Sequence, residues 1–532
     1  MMINNRIMLI GGAVTTLASI GVAEAKSTPK NVLLVIVDDL GWNDLGFMGS
    51  SYYESPNVDA LAESGLVFTD AYAACQVSSP SRASIMTGQY TTRHGVTDWI
   101  GESSGEAWRK MNRHSKVLPA DYEWNLERVE SLLPQFMKSG GYSTFFAGKW
   151  HLGEKETDWP EMKGFDINVG GWATGSPKGG YFAPYVNPRM ESGEDGENLS
   201  MRLANETSAF LENHAKEGGK SPFFAVLSFY AVHGGIETTE ENWRYFRDKA
   251  VDSGVAPVGF EVDRTLPVRQ NQDNPVYAGL IRQMDDAVGR VMSTLEELGY
   301  DENTMVIFTS DNGGVVSGDN FSTSLKPLRG GKGRQFEGGI RVPLIVRVPG
   351  ASKNGESCST PVNGIDLFPT ILSYAKIKSP KRQVVDGVDI LPLVESGAIA
   401  DRPLFWHYPH YGNQGGEPSS IIRHGDWKLI YYHEDLRCEL YNLKMDIGES
   451  EPINIQYPEK VEELKSELMS WLKETNAIMP VADMEYDPVK EAQVKLKWRT
   501  NTLKQKEAER ERMLSDDFQP NADWWGSKVT VD

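Results

Sequence analysis

The sequence predicts an α/β fold: a large, mostly parallel central sheet flanked by helices, plus a small C-terminal α+β subdomain with an antiparallel sheet. Three observations lead there. Continuous apolar runs alternate with amphipathic stretches from Asn31 onward, the pattern of strands joined through crossover helices. Four of those runs are each followed at once by a polar motif, and open parallel sheets bind their ligands beyond the carboxyl ends of strands. After about residue 395 the long runs stop and shorter, alternating ones begin.

In chain order, Val32-Leu33-Leu34-Val35-Ile36-Val37 is apolar without a break, as a strand buried on both faces must be. Residues 142–146, 223–229 and 305–308 read the same way, and 344–348 is a further strand. Helices are expected over 58–64, 81–87, 126–138, 278–298 and 365–374, with Gly299 as the C-cap of the fourth. Ser79 reads as the N-cap of the second helix and Pro80 as its first residue, where a fixed φ is no burden. Later, 427–432 and 438–443 form an antiparallel pair, and Val461, Leu464, Leu468, Trp471 and Leu472 share one face of a helix. From Met484 the chain is charged and irregular, with Trp498, Trp524 and Trp525 expected to anchor it. The division is a leader at 1–25, an α/β domain at 26–395, the α+β subdomain at 396–483 and a packed tail at 484–532.

The leader reads as a secretory signal peptide. Arg6 supplies the positive start, residues 7–22 the apolar stretch, and Ala23-Glu24-Ala25 a small-x-small cleavage site. A membrane anchor is the rival, but the run is short and carries Gly11, Gly12, Thr15 and Thr16. With no other segment resembling a membrane span, an exported protein, periplasmic or secreted, is expected. The 532 residues are 40% hydrophobic and 24% charged, which suits a large globular core. Cys75, Cys358 and Cys438 are too few and too far apart for a disulfide scaffold or a zinc site. Cys75 reads as a buried structural thiol. The formal net charge of −20 argues against nucleic acid as a partner and suits a bound divalent cation.

The residues that carry chemistry follow the strands. Asp38-Asp39 come after the first, Gly148 to Gly153 with Lys149 and His151 after the second, His233 after the third, and Asp311-Asn312-Gly313-Gly314 after the fourth. Singly, each has an ordinary explanation as a cap, a turn or a satisfied polar group. Their shared placement at one sheet edge makes them a candidate site. Asp38, Asp39, Asp311 and Asn312 offer only oxygen, the ligand set of a hard divalent cation, and calcium tolerates flexible, high coordination better than magnesium. Arg82, Lys149 and Lys332 add three cations around one point, which suits a tetrahedral oxyanion. His151 and His233 titrate near neutrality in the unperturbed state and can move protons. Finally, Ser78-Ser79-Pro80-Ser81-Arg82, continued by Ala83-Ser84-Ile85-Met86-Thr87-Gly88, puts Ser78 at a strand-to-helix turn whose free N–H groups favour an anion.

With Ser55-Pro56-Asn57-Val58-Asp59, Lys332-Gly333, Glu337-Gly338-Gly339-Ile340-Arg341-Val342-Pro343 and Asp366-Leu367-Phe368-Pro369-Thr370 added to these motifs, the chain resembles a known family. It is similar, over nearly all its mature length, to the formylglycine-dependent type I sulfatases of the alkaline-phosphatase superfamily. The resemblance implies that Ser78 is oxidised to formylglycine, the catalytic aldehyde. It places calcium on Asp38, Asp39, Asp311, Asn312 and the modified residue 78, Arg82 on the formylglycine hydrate, and Lys149, His151, His233 and Lys332 around the sulfate. In the family's terms Asp311 helps activate the attacking hydroxyl, His233 with Lys332 protonates the leaving alcohol, and His151 takes the proton in the elimination step. Serine at position 78, where the commoner pattern has cysteine, implies a serine-accepting radical maturase as a partner during biogenesis. Cys75 does not match the modification signature.

The implied substrate is a sulfated oligosaccharide or polysaccharide, an algal one such as carrageenan or ulvan being favoured over host glycosaminoglycans. Insertions at 100–124, 170–200 and 234–274 are long enough to wall a pocket. Trp406-His407-Tyr408-Pro409-His410-Tyr411 offers His407 and His410 as sugar contacts. Two other functions fit the same pattern: a phosphate or phosphonate ester hydrolase of the superfamily, and a carbohydrate-binding relative without catalysis.

Overall fold

The computed structural model describes residues 30–111, 113–378, 381–518 and the backbone of 527–530. The expected signal peptide, Trp524 and Trp525 lie outside the described residues.

An eight-stranded sheet organises the α/β domain. Across it run Ser357–Cys358, Leu66–Phe68, Leu344–Arg347, Thr304–Ser310, Asn31–Val37, Phe223–Ser228, Ser143–Gly148 and Ile167–Val169. The last five are mutually parallel, and Leu344–Arg347 runs against both its neighbours. Every residue of Asn31–Val37 is buried. Because side chains alternate along a strand, Leu33, Val35 and Val37 feed one core with helices Leu199–Lys216 and Pro275–Glu297. Val32, Leu34 and Ile36 feed the opposite core with helices Leu133–Ser139 and Leu367–Tyr374. The unbroken apolar run thus has apolar partners on both faces.

Register decides where the polar motifs emerge. Val37 pairs with Ser310, Ile36 with Ser228, and Gly148 with the same Ser228. The strands therefore end level, and the residues that follow them, Asp38, Lys149 and Asp311, leave the sheet side by side.

The C-terminal subdomain has four antiparallel strands rather than the expected pair: Leu404–Tyr408, Ser419–His424, Trp427–Tyr432 and Cys438–Asn442. Helix Pro458–Glu474 lays Leu464, Leu468, Trp471 and Leu472 on that sheet, Trp471 stacking on Phe405 at 4.7 Å between ring centroids. A buried ammonium joins the two units. Lys428 Nζ lies 3.0 Å from Glu337 and 2.8 Å from Glu449, all three being fully enclosed.

Three expectations are corrected. The helix expected over 126–138 spans only Leu133–Ser139, because Pro134 inside a longer helix would clash with the carbonyl four residues earlier. The tail is not irregular: Pro488–Lys497 and Leu503–Met513 are helices. The Asp487 side chain accepts from the N–H groups of Val489 and Lys490, Pro488 suits the first turn, and the stretch is rich in strong helix formers. Nor does Trp498 anchor it, being 43% exposed. Attachment comes instead from Arg510, paired with Asp273 at 2.6 Å, from the Met513 carbonyl on Trp243 Nε1, and from Phe518 against the Trp243 ring. The three cysteines are free thiols and Cys75 is buried. Among the described residues no helix is long and apolar enough to cross a membrane.

Candidate active site

The level strand ends bring the motif residues within bonding distance. Gly148 closes its strand with φ +105°, and a Cβ there would lie 1.8 Å from the Ser228 carbonyl oxygen. Only glycine lets the chain pass so close that Lys149 N donates to Ser228 O at 2.7 Å. Asp39 and His151 are both held in the left-handed region, φ 59° and 56°, a local cost that folds tolerate at functional sites when the surroundings impose it. For Asp39 the surroundings include a bond from its N–H to Asp311 Oδ1 at 3.1 Å.

The helix carrying the serine motif runs Ser78–Thr87, so Ser78 is its first residue. This corrects the expected start. Val77, extended, is the N-cap, and Pro80 is the third helical residue, where an N–H would have had no helical partner anyway. Ser79 does not cap the helix. Its hydroxyl oxygen accepts from Ile100 N at 3.1 Å and lies 3.2 Å from His151 Nδ1.

Ser78 Oγ sits at the centre of the cluster. It is 3.1 Å from Asp38 Oδ1 and 3.3 Å from Asn312 Oδ1, and it accepts from Lys149 Nζ at 3.2 Å. Lys149 Nζ is 2.6 Å from Asp38 Oδ2, Arg82 Nε 2.7 Å from Asp311 Oδ2, and Lys332 Nζ 2.8 Å from Asp39 Oδ2. Arg82 is aimed by two more bonds, to the Lys149 carbonyl and to Ser228 Oγ. Ser228 was not marked by the sequence as functional. Three buried carboxylates thus face three cations.

The balance is uneven. Burial raises the Asp38 carboxyl well above its ordinary value in spite of Lys149, and the neighbouring Asp311 and Asp39 push the same way. In Asp39 burial is outweighed by Lys332 and His233, and in Asp311 by Arg82 and Lys149, so both lie below the usual carboxylate range. Burial lowers Lys149, while at Lys332 burial is outweighed by Asp39, Asp319 and Asp38 together, which raise it.

The two histidines are poised differently. His151 Nε2 lies 3.1 Å from the Ile100 carbonyl, which can only accept, so Nε2 carries the hydrogen and Nδ1 accepts from Ser79. Burial and then Lys149 push its pKa well down. His233 Nδ1 donates to the Gly234 carbonyl, leaving Nε2 open, 3.8 Å from Asp39 Oδ2. Burial, with Lys332 next, lowers His233 to about 3, so both rings are neutral at rest.

Asp38, Asp39 and Asp311 can each offer an oxygen within 4.8 Å of the others, and the Asn312 amide oxygen joins them through Ser78. The donor set is all oxygen, and one carboxylate stays under-compensated. A hard divalent cation fits such a set and would reverse the upward shift of Asp38.

Above the cluster opens a cleft of about 380 Å³, lined by Ser78, Lys149, His151, His233 and Lys332 below and by Trp99, Ile100, residues 173–176, Lys178, Asp319, Asn413 and Gln414 around it. Two of the three insertions contribute to this wall, but no pattern singled out which of their residues would. His407 and His410 are corrected: both are 1% exposed and neither lines the cleft. His407 is bonded to Ser420 and to the Ile478 carbonyl. His410 pairs with Thr97 at 2.9 Å and faces Asp98 at 3.6 Å, so it braces the segment carrying Trp99 rather than meeting a sugar.

Comparison with known proteins supplies the family. The sulfatase family model matches residues 30–377, and a model described as N-sulphoglucosamine sulphohydrolase, C-terminal, matches 332–477. A protein named sulfatase from Formosa agariphila is 31% identical over 552 aligned positions, covering 89% of this chain and 94% of that one. The N-acetylgalactosamine-6-sulfatase of Rattus norvegicus is 32% identical over 401 positions, covering 71% and 68%. Among solved structures, Ps i-CgsB is similar with a TM-score of 0.67 at 25% identity, covering 83% of this chain and 92% of that one. The phosphonate monoester hydrolase of Agrobacterium radiobacter shares the fold, with a TM-score of 0.54 at 20% identity over 85% and 99% of the two chains. Since the family match spans well over half of its length, the chain belongs to the sulfatase family and is a sulfuric ester hydrolase.

Proposed function

We propose that this chain hydrolyses sulfate esters on a sulfated carbohydrate, with residue 78 carried as formylglycine and calcium held by Asp38, Asp39, Asp311, Asn312 and residue 78. The observation that carries the reading is the position of Ser78 Oγ, within 3.3 Å of Asp38, Asn312 and Lys149 at once. When present, calcium supplies a Lewis acid for a sulfate oxygen, and the hydrated aldehyde supplies two hydroxyls, one to attack sulfur and one to expel sulfate.

The chain's own groups divide the remaining work. Lys149 and Lys332 bind sulfate oxygens from two sides, and Arg82 fixes the Asp311 carboxylate, which accepts a proton beside position 78. Because three carboxylates cancel three cations, a divalent ion would leave a positive surplus matched to an anionic sulfate ester whose leaving oxygen gains negative charge in the transition state. His233 Nε2 faces the cleft and carries the proton for the leaving alcohol once bound anion offsets the burial that keeps the ring neutral. Lys332, which holds its proton firmly, assists. His151 takes a proton at Nδ1, the atom that Ser79 now occupies, so Ser79 lies on the route.

A carbohydrate is favoured because one relative is named for N-acetylgalactosamine 6-sulfate and Ps i-CgsB has been crystallised with k-i-k-neocarrahexaose. An algal oligosaccharide of carrageenan or ulvan type is the substrate class we favour. Maturation by a serine-accepting radical enzyme and export through residues 1–25 complete the reading. The test is mass spectrometry of the peptide containing Ser78 beside release of sulfate and of phosphate from matched esters. Sulfate release that tracks loss of two hydrogens at Ser78 is expected. Full turnover from protein bearing only serine, or preferential release of phosphate, overturns it.

A further inference from the structure

His151 is gripped from two sides. On one, the segment 172–181 is moored by the Trp172 carbonyl, which accepts from His151 N at 3.2 Å, and by the buried Tyr181 hydroxyl, 2.8 Å from the carbonyl oxygens of both Tyr230 and His233. On the other, a single residue reaches both ring nitrogens. The Ile100 carbonyl accepts from Nε2 at 3.1 Å, and Ile100 N donates at 3.1 Å to the Ser79 hydroxyl that meets Nδ1. Whatever fixes Ile100 therefore fixes that side of the histidine. Residues 95–101 are neither helix nor strand, so no ladder of backbone bonds does it.

The hold comes from the C-terminal subdomain. Thr97 Oγ1 lies 2.9 Å from His410 Nε2. Asp98 Oδ1 accepts from Trp99 N at 2.8 Å and from the Tyr408 hydroxyl at 2.9 Å, and Tyr408 also packs with Cys75 and Val77, just ahead of Ser78. Asp98 Oδ2 and His410 Nδ1 face each other at 3.6 Å. Both residues are buried, and neither atom has a hydrogen-bond partner among the described residues.

Two lone pairs sealed face to face are costly, and one hydrogen between them removes the cost. Thr97 accommodates it in either position. With the hydrogen on Oδ2, His410 accepts at Nδ1 and donates from Nε2 to Thr97; with it on Nδ1, the Thr97 hydroxyl turns and donates to Nε2. Burial raises Asp98 well above the ordinary carboxylate value, Glu102 pushing the same way, while the Trp99 N–H, Tyr408 and Arg113 pull it down without offsetting burial. Burial, with His407 next, lowers His410 well below its ordinary value. Cys75 and Tyr122, both uncharged, also lie near Asp98.

We propose that Asp98 and His410 share one proton and are positioning residues for His151, acting through Ile100. While the proton is present the loop holds the ring in place, and its loss on the alkaline side leaves a buried charge that displaces the loop. Neither residue touches a reacting atom. This rests on the reading above in which His151 takes a proton during sulfate release.

The experiment measures kcat and KM for sulfate release across pH on matured wild type, Asp98→Ala and Asp98→Asn, with melting temperatures to show that each is folded. Asp98→Ala removes the acceptor of two bonds and orphans His410. It should lower kcat about 10- to 100-fold, the cost of misplacing a reacting group by about 1 Å, with KM changed much less. Asp98→Asn keeps a carbonyl oxygen for Trp99 and Tyr408 and offers His410 a hydrogen that cannot dissociate. It should hold kcat close to wild type at neutral pH, and its alkaline decline should begin about one pH unit or more higher. An asparagine variant as poor as the alanine one, or with the alkaline limb of wild type, overturns the shared proton. Alanine that raises KM while kcat holds would assign the pair to the cleft wall through Trp99, and alanine with full activity would leave it no role. Either overturns the inference while the sulfatase reading stands. If Asp98→Ala does not fold, the pH profile of Asp98→Asn decides alone. Wild type that frees no sulfate takes both readings down.

Discussion

Replacing Gly175 by alanine tests whether the 172–181 segment holds His151 in its working position. The new Cβ would lie 2.4 Å from Cε1, 2.6 Å from Nδ1 and 2.9 Å from Nε2 of the ring. Carbon atoms rest about 3.5–4.0 Å apart, so something must move by roughly 1 Å. The ring cannot simply recede, because Nε2 is bonded to Ile100 O at 3.1 Å and Nδ1 to Ser79 Oγ at 3.2 Å. Nor can the loop swing out freely, since Trp172 and Tyr181 tie both its ends. The displacement is therefore shared, and misplacing a reacting group by about 1 Å costs on the order of 100-fold. Initial rates of sulfate release over a range of substrate concentrations should show kcat lowered about 10- to 100-fold, with KM changed much less. The melting temperature should hold to within about 3 °C, because Gly175 and its neighbours up to residue 180 lie outside both cores. Wild-type kcat in a protein with wild-type melting would refute the reasoning: either His151 tolerates displacement or it does no proton work.

His233→Ala should lose far more rate on sugar sulfates than on activated aryl sulfates, whose leaving groups need no proton; equal losses would make His233 a sulfate-binding group instead. Prolonged chelation should abolish sulfate release and lower the melting temperature, and calcium should restore both better than magnesium; unaltered melting would argue against a metal among Asp38, Asp39 and Asp311. Glu449, raised to about 7 by burial and by the charge of Glu337 despite Lys428, lies above its unfolded value of about 4.3. Its contribution to stability is thus full below about pH 4.3 and lost as pH rises through about 7, while Glu337, which Lys428 and two arginines hold near 2 against burial, acts in the opposite sense on the acid side. Denaturant unfolding should show Glu449→Gln flattening the decline between pH 5 and 7 by on the order of 2 kcal/mol; an unchanged slope would discard this account of the buried triad.

Much of the architecture was legible because it follows from local patterns. A strand covered on both faces has to be apolar throughout, so Asn31–Val37 and its parallel neighbours stood out, and the motif residues follow those strands directly. What local pattern does not encode was missed. The left-handed backbone of Asp39 and His151 follows from tertiary bonds, and no residue type announces it. The Ser79 hydroxyl looked like a helix cap, since its real partners, Ile100 and His151, are distant in sequence. His407 and His410 looked accessible in a polar-aromatic run, yet the four-stranded C-terminal sheet and its neighbours enclose both. Position within an insertion predicted that 170–200 would wall the cleft, but only the fold shows that Gly175 and Lys178 are the residues that reach it.

The way that segment is moored has a consequence for how such an enzyme diversifies. At one end the bond is backbone to backbone, and at the other a tyrosine hydroxyl meets backbone carbonyls, so the two histidines of the cleft are braced without using the side chains of residues 173, 174, 176 or 178. Those four positions can be rewritten while the mooring and the glycine between them persist. Recognition and reaction are thereby mechanically coupled but informationally separate. A lineage, or an engineer, can change the sugar that enters by editing a handful of codons, while the apparatus that breaks the sulfur–oxygen bond is inherited intact.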